Sequence, residues 1–367
     1  MEEVFEEELA GTIGFNISIY DENNKFVSEV AKKEAIAGKD IKTTLDSSLQ
    51  QIADKALTEK TGAVVLLQAS TGEVLSLSSK PGFDSNLFAL GITAAQYERL
   101  GQLNSPFLNR SLAALLPPGS TFKPFTALMA LAAEAVDPAE SWNTPKQWQA
   151  NPSWGGYYVT RVDRPGGAVD LEKAMIYSDN VYFADLSLKI GSKRFIQYAE
   201  QLGFNQQLPF VLKTHSSEIG GDNLSDIMLA DSGYGQGQVQ LTPLHLALMF
   251  SIFPREDGTI PAPQILAGQE PTVWLESGFT APQIAQVAAT LGAAVQSPDA
   301  VAAAGNLPGL NIKGKTGTAE ISDSRQIRWY ACYFEDYVLV VALEGDRTMT
   351  SNQAIEVANK IIQAGIF

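Results

Sequence analysis

The chain has 367 residues, 45% of them hydrophobic, with 30 glycines and 18 prolines. That balance excludes a disordered or fibrous polymer. Its formal charge of −15 argues against non-specific attachment to nucleic acid or an anionic membrane surface. A single cysteine, Cys332, excludes an intramolecular disulfide and a cysteine metal site. Two histidines, His215 and His245, are too few for a histidine triad beside a metal centre, and each reads as structural.

No run of about 18 apolar residues occurs, so no segment reads as a membrane-spanning helix. The acidic start, Met1–Glu8, lacks the apolar core of a signal peptide. Residues 11–37 are expected to form a short β element and a helix, because Phe15, Ile17 and Ile19 alternate with polar residues before the turn at Asp21–Asn24. Gly38–Asp46 is expected as a strand ending at a helix cap. A helix then runs over Ser47–Lys60, with Leu49, Ile52, Ala53 and Leu57 on one side. Gly62–Gln68 and Val74–Ser79, joined through Ser70–Glu73, predict a hairpin.

The segment Asn109–Ala133 organises the rest of the chain. Pro117-Pro118-Gly119 forbids a helix, whereas Phe125, Leu128, Met129, Leu131 and Ala132 predict a buried one. Pro124 is tolerable only in a first turn, so the helix begins close to Ser120. Ser120 then sits at a helix N-terminus, where free N–H groups and the dipole favour developing negative charge. Lys123, three residues on, shares its face and can approach the hydroxyl. A serine with an amine one turn away is a nucleophile with a built-in base. Taken alone, these residues read better as an N-capping serine followed by a surface lysine, because Ser-x-x-Lys is common by chance.

Trp142, Trp148 and Trp154 crowd a polar, glycine-containing stretch that ends in Tyr157-Tyr158-Val159-Thr160-Arg161. They read first as buried loop anchors and second as substrate contacts. Asp170–Leu188 reads as two helices broken at Tyr177–Asn180, where Ser178, Asp179 and Asn180 interrupt apolar surroundings and need partners. A loop holding Ser178 and Asn180 toward the Ser120–Lys123 pair would supply them, and is compatible with a helix cap at Ser178 or Asp179. Helices are expected next at Leu244–Phe253 and around 282–295.

Gly309–Thr316 satisfies the phosphate-loop formula G-x-x-x-x-G-K-T, but that loop needs a strand before it and a helix straight after Thr316. Gly317–Asp323 is poor in helix formers and reads as a strand running into a turn. Lys315, Thr316 and Thr318 are therefore expected on a strand edge. Strands over 327–334 and 337–344 and a helix over 351–364 close the chain.

Ser120-x-x-Lys123, Ser178-Asp179-Asn180 and Lys315-Thr316-Gly317, in that order, match the signature of class A β-lactamases and penicillin-binding proteins. Pro117–Pro124 resembles the active-serine segment of penicillin-binding transpeptidases. The Leu45-Asp46-x-x-Leu49-Gln50 helix, the hairpin and Phe83-Asp84-Ser85-Asn86 resemble the start of their catalytic domains. The chain thus resembles, over roughly residues 38–367, the transpeptidase domain of class B penicillin-binding proteins. The tryptophan-rich segment Trp142–Arg161 and Ala230–Gly237 resemble the low-affinity, methicillin-resistance type.

The resemblance implies an α+β fold of the penicillin-binding/serine β-lactamase kind: an antiparallel sheet flanked by helices, plus a mostly helical subdomain. It implies D,D-transpeptidation of peptidoglycan stem peptides ending in D-Ala-D-Ala, and covalent acylation by β-lactam antibiotics. Ser120 would be the nucleophile and Lys123 the base. Ser178 would relay a proton to the leaving amine, and Asn180 would hydrogen-bond substrate and steady Lys123. Lys315 would add positive charge, while Thr316, Gly317 and Thr318 would bind substrate, with Ser120 and Thr318 N–H groups as the oxyanion hole. No metal or cofactor and no nucleic acid is implied. Residues 1–37 would be the remnant of an N-terminal non-catalytic region and residues 38–367 the transpeptidase domain. An anchor outside this chain would hold it to the external face of the cytoplasmic membrane, with division or elongation machinery as partners. A serine β-lactamase or β-lactam sensor shares Ser-Thr-Phe-Lys, but the chain has no Glu-x-x-Leu-Asn segment of the class A kind. A D,D-carboxypeptidase and, from another class, a phosphate-loop NTPase are the remaining alternatives.

Overall fold

The computed structural model describes residues 1–221 and 223–365. The chain opens as an antiparallel ribbon, β1 (Phe15–Tyr20) and β2 (Phe26–Lys33), where a strand and a helix were expected. The Asp21 carboxylate accepts from the Asn23 and Lys25 N–H groups, closing a turn that returns Phe26, Val27 and Val30 alongside β1. Intrinsic β preference at those positions then outweighs helix formation. Phe15, Ile17, Val27 and Val30 are exposed, so the ribbon is held by pairing rather than by a core of its own.

Gly38–Asp46 is not a strand. Its backbone makes one isolated antiparallel bridge, Thr43 with Leu266, and it touches the following sheet through the Thr44 hydroxyl, which donates to Val74 O, and through Asp46 N–H to Leu75 O. Asp46 does cap the next helix, α1 (Ser47–Ala56), accepting from Ser48 and Leu49 N–H. That helix stops short of Lys60.

The central sheet contains β3 (Thr61–Gln68) and β4 (Val74–Lys80), the hairpin expected from the sequence. After it come α2 (Lys123–Ala132), a small ribbon of β5 (Gln147–Trp148) with β6 (Val159–Thr160), and α3 (Leu171–Ile176) with α4 (Asn180–Ile190), broken where the sequence placed the break. Next are α5 (Asp226–Ser232), α6 (Pro243–Phe250), the short pair β7 (Thr259–Pro261) and β8 (Val273–Glu276), and α7 (Ala281–Gln296). The chain ends in β9 (Lys313–Glu320), β10 (Gln326–Phe334), β11 (Tyr337–Gly345) and α8 (Ser351–Gly365). Sheet order is β4-β3-β11-β10-β9, antiparallel throughout.

Both faces of this sheet are covered, which is why its strands are nearly continuous in apolar residues. Along β10, Trp329, Ala331 and Tyr333 enter the core shared with α2, α4, α6 and α7. Tyr330, Cys332 and Phe334 point the other way, toward α1 and α8. Burying aliphatic side chains at about 25 cal/mol per Å² on two faces fixes this register, since a one-residue slip would exchange the two sets. Cys332 is buried and reduced, and His245 is buried with Nε2 at 2.8 Å from Leu202 O. β9 is a strand through Lys315 and Thr316, with no helix following, so the phosphate-loop formula has no structural basis.

Candidate active site

The Ser120 turn is built against β9 and the Gly233–Gly237 loop. Gly119 has φ +54°, and a Cβ there would lie 2.3 Å from Thr318 O, so glycine alone fits. Its N–H donates to Gly235 O at 2.8 Å, and Trp329 Nε1 holds Pro117 O at 2.9 Å. One 3₁₀ turn, Gly119–Phe122, leads into α2, with Pro124 in the first turn as expected. Ser120 is half-buried and opens on a groove of about 740 Å³, whose wall also carries Ser178, Asn180, Thr316, Thr318 and Arg328.

Lys123 is fully buried beneath this groove. Its Nζ donates to Ser178 O at 2.6 Å, Asn180 Oδ1 at 2.8 Å and Ser178 Oγ at 3.1 Å. These three acceptors match the three hydrogens of an ammonium. The amine is therefore turned to the Ser178 loop, and none of the hydrogen bonds among the described residues joins it to Ser120, as the one-turn spacing had suggested.

Ser178 lies between α3 and α4 with φ +56°, a conformation that costs a non-glycine residue about 1–3 kcal/mol and clusters at functional sites. It presents both its carbonyl and its hydroxyl to Lys123. Asp179 is the cap of α4, accepting from Val181 N–H at 3.0 Å and Tyr182 N–H at 3.2 Å. Its other oxygen takes Arg164 Nε at 3.1 Å and the Thr144 hydroxyl at 2.5 Å, all within the interior. Asn180 spans the site, receiving Lys123 on Oδ1 and donating from Nδ2 to Thr160 O of β6 at 3.0 Å.

Lys315 enters from β9, also fully buried, and its Nζ donates to Ser178 Oγ at 2.9 Å. Burial lowers its pKa to about 7. Burial lowers that of Lys123 still more strongly, with the Lys315 charge acting in the same direction and Asp179 opposing. Both amines therefore give up a proton more readily than an ordinary lysine does. Thr316 is buried beside them. Gly317 allows the closest approach of β9 to the Ser120 turn, since a Cβ would lie 2.6 Å from Pro118 O. Thr318 accepts a hydrogen bond from Arg328 Nη1 and lies 3.4 Å from Ser351 Oγ.

The site thus brings Ser120, Lys123, Ser178, Asn180, Lys315, Thr316, Gly317 and Thr318 together. Sequence reasoning missed Arg328, Arg164 and the Thr160 carbonyl. Arg328 was recoverable: the Ser322–Ser324 turn pairs Glu320 with Gln326, which sets Arg328 opposite Thr318. Arg164 had no signal, since it lies in an irregular loop. The tryptophans are anchors: Trp154 is buried, with Trp148 edge-on at 5.6 Å. They hold the Tyr157–Thr160 segment on the groove wall.

Comparison with known proteins bears on the fold and the family. Residues 62–363 match the family described as the penicillin binding protein transpeptidase domain. The chain is 35% identical over 358 residues to penicillin-binding protein 3 of Bacillus subtilis, covering 94% of this chain and 52% of that protein. It is 30% identical to the peptidoglycan D,D-transpeptidase MrdA of Acinetobacter baumannii, over 69% of this chain and 39% of that protein. Against PbpA of Mycolicibacterium smegmatis, a peptidoglycan D,D-transpeptidase, identity is 29%, over 87% of this chain and 70% of that protein. The chain spans about half the length or less of the first two. A crystal structure of the D,D-transpeptidase domain of a peptidoglycan glycosyltransferase from Eggerthella lenta superposes with TM-score 0.78 at 21% identity, covering 94% of each chain. Its likeness establishes the fold, and the matched span places the chain in the penicillin-binding protein transpeptidase family.

Proposed function

We propose that this chain is the catalytic domain of a class B penicillin-binding protein that cross-links peptidoglycan stem peptides by D,D-transpeptidation. The observation that carries this reading is the pair of buried lysine amines that meet on Ser178 Oγ beside the Ser120 groove. Ser120 attacks the penultimate carbonyl of a peptide ending in D-Ala-D-Ala, and its proton passes to the Lys123 amine. Since that amine rests on Ser178 and Asn180, the Ser120 side chain must turn toward it as the substrate binds, or hand the proton on through Ser178. The Ser120–carbonyl bond forms as the amide bond to the last residue breaks, and Ser178 delivers a proton to the departing D-Ala amine. An amine of a second peptide then displaces Ser120.

The N–H groups of Ser120 and Thr318 stabilise the oxyanion, each such donor contributing roughly 3–4 kcal/mol in comparable enzymes. Lys315, Thr316, Thr318 and Arg328 form the end of the groove that takes the terminal carboxylate, or that of a β-lactam. Residues 1–37, with their exposed ribbon, belong to a region preceding the catalytic domain, residues 38–367. The protein works on the external face of the cytoplasmic membrane, and its loop sequences fit the low-affinity, methicillin-resistance type. Division or elongation proteins are its partners.

The test is intact mass after mixing with benzylpenicillin. The expected result is a stable adduct on Ser120, absent in Ser120→Ala while that variant keeps the parent's thermal midpoint. Rapid release of hydrolysed penicillin would indicate a β-lactamase, and labelling that persists in Ser120→Ala would remove Ser120 as nucleophile.

A further inference from the structure

Asp231 lies on the wall of the groove that holds Ser120, and acyl transfer at Ser120 gives it no task. It occupies the last turn of α5, where the helix dipole disfavours a negative charge, so helix stability does not explain it. The Tyr157 hydroxyl lies 2.6 Å from Asp231 Oδ1 and 2.5 Å from Oδ2, and the Tyr234 hydroxyl donates to Oδ1. Burial first, and then the hydrogen bond to Asp231 and its charge, raise the pKa of both phenols, that of Tyr157 to about 12, so both remain donors. These contacts orient the carboxylate without neutralising it. No ion pair among the described residues includes Asp231.

The surroundings tie this carboxylate to the catalytic groups. Two residues beyond it, Gly233 O accepts from Thr126 Oγ1 of α2, and Gly235 O accepts from Gly119 N–H beside Ser120. From the other side, Tyr157 and Tyr158 precede Thr160, whose carbonyl fixes Asn180. Tyr157 and Tyr158 are 36% and 45% exposed and both line the groove, the Tyr157 ring resting against Trp154 at 6.2 Å. The other carboxylate on this wall, Glu320, lies 3.7 Å from the Arg347 guanidinium and so has a cation near it.

We propose that Asp231, with the rings of Tyr157 and Tyr158, is a subsite for a primary ammonium group on the peptide substrate. An oriented anion flanked by aromatic faces attracts a cation in preference to a neutral group. The groove is then bipolar, with Lys315 and Arg328 at a carboxylate-binding end and Asp231 at an ammonium-binding one. The ammonium comes either from a side chain of the donor peptide or from the amine of the acceptor peptide, which arrives protonated. The subsite binds and orients; it adds no covalent step. This inference rests on the acyl-transfer reading of the groove.

The experiment compares the wild-type chain with Asp231→Asn, which keeps the shape and one acceptor for the tyrosines but removes the charge. In the donor arm, D-alanine release is measured from Nα-acetyl-Lys-D-Ala-D-Ala and from its Nε-acetylated counterpart. In the acceptor arm, the acyl-enzyme formed from Nα,Nε-diacetyl-Lys-D-Ala-D-lactate is partitioned between water and an added peptide bearing a free primary amine. In one arm the wild type prefers the ammonium-bearing peptide, and Asp231→Asn lowers that preference by about tenfold or more, as befits a hydrogen bond to a charged group. The arm that responds identifies which peptide carries the ammonium. Tyr158→Leu, which touches none of the Asp231 hydrogen bonds, lowers the same preference by a few-fold.

Preferences unchanged in both arms, or unaffected by Tyr158→Leu, overturn the subsite. So does an equal loss in acylation by benzylpenicillin, which has no ammonium, because Asp231 would then be only a tie between α5 and the Tyr157 loop. A wild-type chain that takes no penicillin on Ser120 sinks the acyl-transfer reading itself, and the subsite with it.

Discussion

Lys123 and Lys315 converge on one oxygen: their amines lie 3.1 and 2.9 Å from Ser178 Oγ, and both side chains are fully buried. Two ammonium groups donating to a single hydroxyl in the interior repel each other, so at least one is readily lost as a cation.

The first prediction concerns that pairing. Acylation of Ser120 by a reporter β-lactam rises with pH, because the base form of Lys123 is required, and the rise falls below the ordinary lysine range. Lys315→Met keeps the interior dry but removes the charge that lowers the Lys123 pKa. The acid limb of the rate profile moves to higher pH. An unmoved limb would mean that Lys315 does not set the Lys123 proton affinity.

Stability carries the same signature with a definite sign. A buried lysine whose folded pKa is depressed binds fewer protons in the folded than in the unfolded chain between the two pKa values. For Lys315 these are about 7 in the folded chain and the ordinary lysine value of 10.5 in the unfolded one. Its contribution to stability therefore rises with pH across that window and is flat below it. Urea unfolding of the parent and of Lys315→Met over this range should diverge at the acid end, with the variant the more stable there.

Lys123→Arg separates charge from proton acceptance. Arginine keeps its proton, with a pKa above about 12, so it can attract an oxyanion but cannot act as base. Acylation by the β-lactam falls at least about 100-fold, the lower end of general-base assistance, and as far as in Lys123→Ala. A folded arginine variant within a few-fold of the parent would leave Lys123 as an electrostatic residue.

Arg164 and Asp179 form a buried ion pair that holds the cap of α4 and so the Ser178–Asn180 loop. Arg164→Leu leaves Asp179 unpaired and destabilises the chain by about 3–5 kcal/mol. Arg164→Leu combined with Asp179→Leu recovers part of that stability without restoring acylation, because the helix cap is lost. Chemical denaturation and β-lactam acylation on both variants check this.

Gly119→Ala is the last. With φ +54° and a Cβ 2.3 Å from Thr318 O, the substitution must push the Ser120 turn away from β9. We expect more than about 1 kcal/mol of lost stability and a loss of acylation larger than lost folding explains, read from a thermal melt beside the acylation rate. Equal acylation by the folded fraction would show that the gap between the turn and β9 is not critical.

Much of this fold was legible because its signals are local. Pro124 required the helix to start near Ser120, the pause at Ser178–Asn180 separated α3 from α4, and apolar runs marked β3, β10 and β11. The errors were local competitions as well. Residues 26–33 lack a strong helix period, and pairing with β1 decided them; Gly38–Asp46 looks extended, but its backbone pairs at a single bridge, Thr43 with Leu266, and goes no further.

By itself, the sequence determined which residue types meet: a serine at a helix entry, an amine one turn on, and two further polar tripeptides that apolar surroundings oblige to find partners. Only the tertiary structure decided which atoms those partners are. It turned Lys123 toward Ser178 and Asn180, made Asp179 a cap tied to Arg164, set Arg328 on Thr318, and brought Asp231 to the groove. Spacing along a helix limits where a side chain can reach. The choice among the acceptors within reach belongs to burial, which leaves a charged amine no water and so commits it to whatever polar atoms the packing of distant segments supplies.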